Sequence, residues 1–424
     1  MISEHTLSNG TKILLETVEH TDIVSVGFWF LHGSRDESLA EKGLSHFIEH
    51  MFFKGTGKRT AFQIALDIDR VGGILNAFTE KEQSCFYCTV TKENIDLAIE
   101  ILSDMIFHST FREEEIEKEK LVIINEIKSD EDVPEEIAFE LLLSKIWKNH
   151  GLSYKITGTI DDVKKISREV LIAFYRERYS QANLLVSIAG NFEVNTVLSQ
   201  LEVLLPKEKG TVFIPRRIQP VANPVWEYVS GKFNQVQVYT GIHFPVPADI
   251  YEFYYFLVFS TAFGESMSSR LFQKIRENKG LCYSICALRY FFSCTVLWTI
   301  YANTAPNLLS ALVVSLKTEL KEIIDTPPGH QEIEDAVSHI IGGIMLAKDD
   351  METRMKRLVR QFLLGGEMHD YPKAIEILKT IRCEHITTII EKYLKNNNFF
   401  LLAYGTKKIV RLKKVPFSLN VPLS

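Results

Sequence analysis

The chain has 424 residues, of which 46% are hydrophobic, so it is long enough for two cores of about 200 residues each. Its 48 basic and 54 acidic residues are evenly spread and give a formal net charge of −6. This balance provides no basic surface for nucleic acid or for an anionic membrane, and we expect neither as a partner.

The amino terminus has no basic segment followed by an apolar stretch, so it does not resemble a signal peptide. It is typical of a strand, a turn at Asn9-Gly10 and a second strand. The apolar run 251–263 is interrupted by Glu252 and is too short to span a membrane. These features predict a soluble, cytoplasmic protein.

The first half of the chain alternates predicted strands and helices, judged from apolar runs and helical periodicity. In chain order these are a strand at 23–31, helices at 44–53 and 63–71, a strand at 86–90, helices at 95–107 and 112–129, and a strand at 184–189. Cys85 and Cys88 form a C-x-x-C in strand context, where residues three apart point to opposite faces. We therefore expect reduced, partly buried cysteines rather than a redox pair or half of a zinc knuckle.

The segment 206–224 has four prolines and no helical periodicity, which indicates a linker. We therefore predict an amino-terminal lobe at 1–213, a linker at 214–225 and a carboxy-terminal lobe at 226–424. Beyond the linker, a strand at 235–240 and helices at 251–263 and 267–278 repeat the outline of the first half, which suggests a duplication.

The segment GLSHFIEHMFFKGTG, residues 43–57, contains the pattern H-x-x-E-H. His46 and His50 are four residues apart on a predicted helix, so both imidazoles project from one face and can bind one Zn²⁺. Glu49 lies on the same side, within reach of a water molecule on the metal. A histidine on an amphipathic helix is more often a packed or surface residue than a ligand, so the pattern alone favours zinc without establishing it.

A catalytic zinc site needs a third protein ligand and one open position. The predicted helix 112–129 offers Glu119 and Glu126, which are seven residues apart and therefore lie on one face. Spacing does not choose between them. The acidic residues of the first turn are interpreted as solvated charges that favour the helix dipole.

The sequence resembles the M16 (pitrilysin-type, inverzincin) metallopeptidases, and within them the bacterial members that are similar to the mitochondrial processing peptidase. Segments in family order run along nearly the whole chain, among them NGTKILLE, FWFLHGSRDE, HFIEHMFFKGT, VGGILNAFTEKEQSCFY and FGESMSSRLFQKIRENKGLCYSI. The resemblance implies an α+β fold of two related α/β lobes, each a mostly antiparallel sheet covered by helices, in a clamshell arrangement.

The same resemblance implies roles for particular residues. Glu126 would be the third ligand of one Zn²⁺ per chain, and Glu119 a carboxylate that orients a ligand or the water. Asn76 and Ala77 would lie close to the scissile bond, at a sheet edge to which the peptide adds as a strand. The residues alone would make Asn76 a turn residue.

In similar proteins an arginine and a tyrosine of the second lobe reach the active site, and here they correspond to Arg276 and Tyr283. They would hold the substrate and stabilise the oxyanion. Read without the family, they are a surface arginine and a half-buried tyrosine.

We therefore predict a zinc-dependent endopeptidase that hydrolyses peptides or unfolded polypeptide segments, with Glu49 as general base. Relatives of this length pair, so we expect a homodimer or pairing with a related subunit. The alternative is a catalytically silent scaffold or partner subunit of the same family. A scaffold would have lost at least one site residue, whereas all are present. A metal-storage or sensor protein fits poorly with an open coordination position.

Overall fold

The structure is a computed structural model that describes residues 1–208, 210–364, 368–395 and 397–406. The described residues form two compact units, and each unit is built from three segments of the chain. The first unit contains residues 1–129, 154–217 and the described part of 346–370. The second contains residues 130–153, 218–345 and the described part of the chain from 371 onward.

The first half contains the predicted strands and helices, and it also contains further helices and short 3₁₀ turns that were not predicted. Up to residue 204 they are β1 (Ile2–Thr6), β2 (Lys12–Thr17), β3 (Ile23–Phe30), α1 (Leu44–Phe52), α2 (Ala61–Asp69), β4 (Ile74–Thr79), β5 (Ser84–Thr91), α3 (Ile95–Phe107), α4 (Glu113–Asp130), α5 (Pro134–Ile146), α6 (Ile160–Lys165), α7 (Arg168–Arg178), β6 (Leu184–Gly190) and α8 (Val194–Leu204).

The described residues between 205 and 225 form neither helix nor strand, as the prolines predict. From residue 226 the elements are β7 (Trp226–Gly231), β8 (Val236–Phe244), α9 (Ile250–Gly264), β9 (Ser284–Phe291), β10 (Val296–Thr304), α10 (Leu309–Asp325), α11 (His330–Ala347), α12 (Met351–Leu363), α13 (Tyr371–Lys379), α14 (Cys383–Ile389) and β11 (Phe400–Thr406). Among the described residues, every helix lacks the length or the apolar character needed to cross a membrane.

The first unit is built on a six-stranded sheet in the order β1-β2-β6-β3-β5-β4. Only the β2–β6 pair is parallel, and the other pairs are antiparallel. One face of this sheet packs with α1, α3 and α4 in a single apolar core. The opposite face packs on α12, where Met355, Leu358 and Val359 contact Trp29 and Cys85.

The second unit has a five-stranded sheet in the order β7-β11-β8-β10-β9, in which only β7 and β11 are parallel. This order and these directions match β2-β6-β3-β5-β4 strand for strand. A helix follows the third strand of each series, α1 after β3 and α9 after β8. The repeated topology agrees with the suspected duplication and confirms the α+β class with mostly antiparallel sheets.

Each unit takes one helix from the other half of the chain. Helix α5 packs in the second unit, where Leu142 and Ile146 join the core of Tyr239 and Leu402. Helix α12 packs in the first unit, and Gly27 allows it to approach β3, because a Cβ at this position would lie 2.4 Å from Met355 Sδ. The chain therefore passes from the first unit to the second after Arg217, near the predicted linker. It also passes between the units before and after each of these two helices.

Two smaller predictions have clear outcomes. Cys85 and Cys88 are free and buried and belong to cores on opposite faces of β5, so the expected divergence of the two thiols is confirmed. The helix predicted at 267–278 begins too early, because the regular helical turns there are the π-helix Phe272–Glu277. The residues before it include Ser266 and Ser268, whose hydroxyls bond to each other at 3.1 Å, and serine favours such local bonds over a helix interior.

Candidate metal centre

The start of helix α1 is held by the carboxyl group of Glu37, whose burial raises its pKa to about 8. Glu37 accepts hydrogen bonds from the backbone N–H groups of Gly43, at 2.8 Å, and Ser45, at 2.7 Å. These are donors that the first helical turn would otherwise leave unpaired. Gly43 has φ +85°, and a Cβ there would lie 2.7 Å from the carbonyl oxygen of Thr157. These contacts therefore hold the amino-terminal end of the helix that carries H-x-x-E-H.

The rest of α1 is amphipathic in the way the sequence predicts. Leu44, Phe47, Ile48 and Met51 are fully or almost fully buried in the core of the first unit. Because an α-helix has about 3.6 residues per turn, this leaves His46, Glu49 and His50 together beside that apolar stripe.

Helix α4 supplies the acids. Ile116, Ile123 and Ile127 are buried in the same core as α1 and fix the rotation of α4. Glu119 and Glu126, two turns apart, consequently point along one line of the helix. Glu119 is only 3% exposed, whereas Glu126 is half-buried.

The carboxylate of Glu126 lies close to both histidines of α1. Its Oε1 lies 3.5 Å from His46 Nε2, and its Oε2 lies 3.5 Å from His50 Nε2. One potential ligand atom from each of the three residues can be chosen so that all lie within 4.8 Å of one another. Donor atoms around a tetrahedral zinc, with bonds of about 2.0–2.1 Å, lie roughly 3.3 Å apart. The donor set and its spacing therefore fit a zinc ion.

Glu119 occupies a different place. Its Oε1 lies 2.7 Å from His50 Nδ1, on the side of the ring away from Glu126, and its Oε2 lies 2.6 Å from Lys54 Nζ. Burial would raise the pKa of the Glu119 carboxyl, but the hydrogen bonds from His50 and Lys54 outweigh burial and lower it. The geometry thus makes Glu126 the candidate ligand and Glu119 the carboxylate that orients His50, a choice that spacing alone left open.

The pKa of Glu126 is also lowered, mainly by its hydrogen bond with His46 and against the effect of burial. Both acids are consequently ionised at neutral pH, and an ionised carboxylate is what a cation requires.

Glu49 lies on the same helical turn as the two histidines. Its Oε2 is buried and has no hydrogen-bond partner within the described residues, and neither has His46 Nδ1. Buried polar atoms are almost always paired, so a carboxylate oxygen left in this state indicates a place for a water molecule or a substrate group.

Asn76 and Ala77 lie on β4, which is the last strand of the sheet and therefore an edge strand. Asn76 is opposite Tyr87 of β5, and Ala77 is opposite Phe86. The alternative reading of Asn76 as a turn residue is wrong, because both residues lie within the strand. Ala77 packs against the core that contains α1, whereas Asn76 is exposed.

Arg276 and Tyr283 lie in the second unit and contact each other. Arg276 Nε donates to the backbone oxygen of Tyr283 at 2.8 Å, and its guanidinium lies 4.4 Å from the ring centre of Phe272. The Tyr283 side chain is not half-buried but strongly exposed, at 78%. Their action on a substrate stays a prediction.

Sequence reasoning did not single out Glu37 or Lys54, although both hold the site. Lys54 had a usable signal, because it follows His50 by four residues and a helical continuation would place both on one side. Glu37 had none, since its contacts with α1 depend on how the preceding loop folds back.

The comparisons with known proteins identify the family of the chain. Residues 12–160 match the family profile described as insulinase (peptidase family M16), and residues 165–339 match that of the peptidase M16 inactive domain. The zinc protease YmxG of Bacillus subtilis is 33% identical over 389 residues, which cover 91% of this chain and 94% of that protein. The chain belongs to peptidase family M16.

A further relative and two solved structures are also similar to this chain over nearly its whole length. A zinc protease of Rickettsia felis is 31% identical over 91% of this chain and 93% of its own length. Both relatives are described as uncharacterised zinc proteases. The peptidase M16 inactive domain from Pseudomonas fluorescens has a TM-score of 0.87 at 14% identity, covering 97% of this chain and 100% of that one. A protease from Helicobacter pylori has a TM-score of 0.86 at 17% identity, covering 96% of this chain and 99% of that one, and both structures support the M16 fold.

Proposed function

We propose that the chain is a zinc-dependent endopeptidase acting on peptides or unfolded polypeptide segments. One observation carries the proposal. Two imidazole Nε2 atoms and the Glu126 carboxylate converge, and an unpaired buried oxygen of Glu49 lies on the same turn. The zinc-protease names of relatives that match over nine-tenths of the chain point the same way.

His46, His50 and Glu126 are the residues that would hold one zinc ion per chain, which leaves a coordination position for water or substrate. A bound zinc ion supplies Lewis-acid activation of a water molecule and of the peptide carbonyl. Glu119 fixes the His50 ring through Nδ1, so that Nε2 keeps its lone pair for the metal.

Glu49 acts as general base and then as general acid. Its carboxylate accepts the proton of the attacking water, and the same proton passes to the amine nitrogen as the peptide C–N bond breaks. A carboxylate with one oxygen buried and unpaired is ready to accept such a proton.

The substrate backbone would pair with the edge strand β4 at Asn76 and Ala77. A strand edge offers unpaired N–H and C=O groups and binds an extended main chain largely without regard to side chains. Arg276 and Tyr283 would stabilise the oxyanion.

The chain would pair with a second copy or a related subunit, as in similar processing-peptidase-like proteins.

The test combines metal content with cleavage of a quenched fluorescent peptide. We expect about one zinc per chain and cleavage that a chelator abolishes. Glu49→Gln should keep the metal and lose turnover by roughly 10²- to 10⁴-fold. Glu117→Gln, at an exposed position of α4, is the matched control and should keep both.

A chain that binds no zinc after reconstitution would overturn the proposal and favour a silent scaffold. Near wild-type cleavage by Glu49→Gln would remove Glu49 from the chemistry.

A further inference from the structure

We propose that Lys54 is a positioning residue for the metal centre, because it aims the carboxylate of Glu119 at His50 and so sets the affinity for zinc. The proposal deepens the function proposed above and rests on it. Among the described residues, the ion pair of the Lys54 side chain is with Glu119, and we infer that Lys54 acts on the candidate ligands through that carboxylate.

The backbone of Lys54 is held in place at the end of α1. Its N–H donates to the carbonyl oxygen of Met51 at 3.0 Å, so Lys54 continues the last helical turn. The chain then turns at Gly55, which has φ +110°. The lysine side chain therefore leaves from the turn that directly follows α1, about one helical turn beyond His50.

The two oxygens of Glu119 divide their contacts. Oε1 lies 2.7 Å from His50 Nδ1, and Oε2 lies 2.6 Å from Lys54 Nζ. In the described part of the chain, these are the ion pairs that Glu119 makes. Because Glu119 is 3% exposed, water cannot readily replace Lys54, and a buried carboxylate oxygen without a donor is costly.

The lysine also determines which way the carboxylate faces. A carboxylate bonded only to His50 can rotate about its side-chain torsions. One bonded at both oxygens, to a group on α1 and to a group on the turn that ends it, cannot rotate without breaking a bond. A fixed acceptor at Nδ1 keeps the His50 ring oriented with Nε2 toward Glu126. Outer partners of this kind contribute to metal affinity although they do not touch the ion.

A simpler role for Lys54 would be to favour the helix dipole, since a cation near the carboxy-terminal end of α1 stabilises the helix. The two roles differ in their dependence on Glu119. The dipole effect persists when Glu119 is neutral, whereas the positioning role disappears.

The experiment is a double-mutant cycle read out as zinc affinity, measured by competition with a chromophoric chelator on the full-length protein. We expect Lys54→Met to weaken zinc binding roughly tenfold, at the lower end of the 10- to 100-fold range for outer partners of metal ligands. Lys54→Arg keeps a cationic donor and should remain within about threefold of wild type. In a Glu119→Gln background, Lys54→Met should have no further effect.

Lys118→Met is the matched control, because Lys118 is a solvated lysine of α4 that pairs with Glu115 and not with Glu119. It should bind zinc as the wild type does. If Lys54→Met fails to fold, the double variant keeps the proposal falsifiable, because it leaves no unpaired buried charge and a loss of affinity relative to Glu119→Gln would overturn the proposal.

Wild-type affinity in folded Lys54→Met would overturn the proposal, and so would a tenfold loss that persists in the Glu119→Gln background. A loss in Lys54→Arg as large as that in Lys54→Met would also overturn it. A wild-type protein that binds no zinc would instead remove the proposed function, and the role of Lys54 with it.

Discussion

Acid should destabilise the protein through His32, a buried histidine at the end of β3. His32 is 1% exposed, its Nε2 lies 3.2 Å from the carbonyl oxygen of Arg178, and its Nδ1 has no partner in the described structure. Burial, with a smaller contribution from the Arg178 charge, lowers its pKa from 6.5 to about 3. Between these two values the unfolded chain binds the proton and the folded chain does not.

The free energy of unfolding should therefore fall as the pH drops below 6.5, and most of the effect should lie above pH 3. Linkage with these two pKa values gives a loss of about 2 kcal/mol between pH 7 and pH 5 from this one group. The loss belongs to the neutral, buried imidazole and not to the metal centre, since His32 contacts aromatic rings such as Tyr179 and Phe213.

The assay is urea denaturation at pH 7 and pH 5 in the presence of a chelator, comparing the wild type with His32→Asn. Asparagine is polar, like the neutral imidazole, but does not titrate. The wild type should lose about 2 kcal/mol more than the variant over this interval. His20→Asn, at an exposed histidine, should show the wild-type pH dependence. Equal losses in the wild type and His32→Asn would refute the reasoning.

Three further outcomes follow from the structure. Glu126→Gln should weaken zinc binding more than Glu119→Gln in the same competition assay, because it replaces a proposed ligand rather than its support. Leu358→Ala should lower the free energy of unfolding by about 2–5 kcal/mol, because this side chain of α12 is fully buried on the sheet of the first unit. Gly43→Ala should lower the thermal midpoint, because φ is +85° there and the Thr157 carbonyl leaves no room for a methyl group.

Each of these outcomes has its own control. Equal zinc affinities for the two glutamine variants would contradict the assignment of the ligand. For Leu358, the control is Leu363→Ala on the same helix, where the side chain is 45% exposed and the loss should be small. Gly57→Ala is the control for Gly43, because no atom lies within 4 Å of its Cβ position.

Much of the secondary structure could be predicted from the sequence, because it depends on residues that are close together in the chain. The predicted helix at 95–107 has the bounds of α3, and that at 112–129 differs from α4 by one residue at each end. Periodicity of apolar residues determines such helices, and helix geometry then places His46 beside His50 whatever the rest of the fold does. The family likewise followed from local segments in order.

Other features required the tertiary structure. The spacing of Glu119 and Glu126 does not distinguish the two acids. They differ because α4 packs on α1 with Glu126 facing the Nε2 atoms and Glu119 facing His50 Nδ1 and Lys54. No local pattern reveals that α5 and α12 each pack on the sheet of the other half. The amphipathic pattern of a helix shows which face is buried, but the partner is chosen by contacts between residues far apart in the chain. The sequence by itself therefore determined the helix that carries the two histidines and the chemistry of its side chains. The packing of α4 on α1 decided which glutamate lies beside the Nε2 atoms of those histidines.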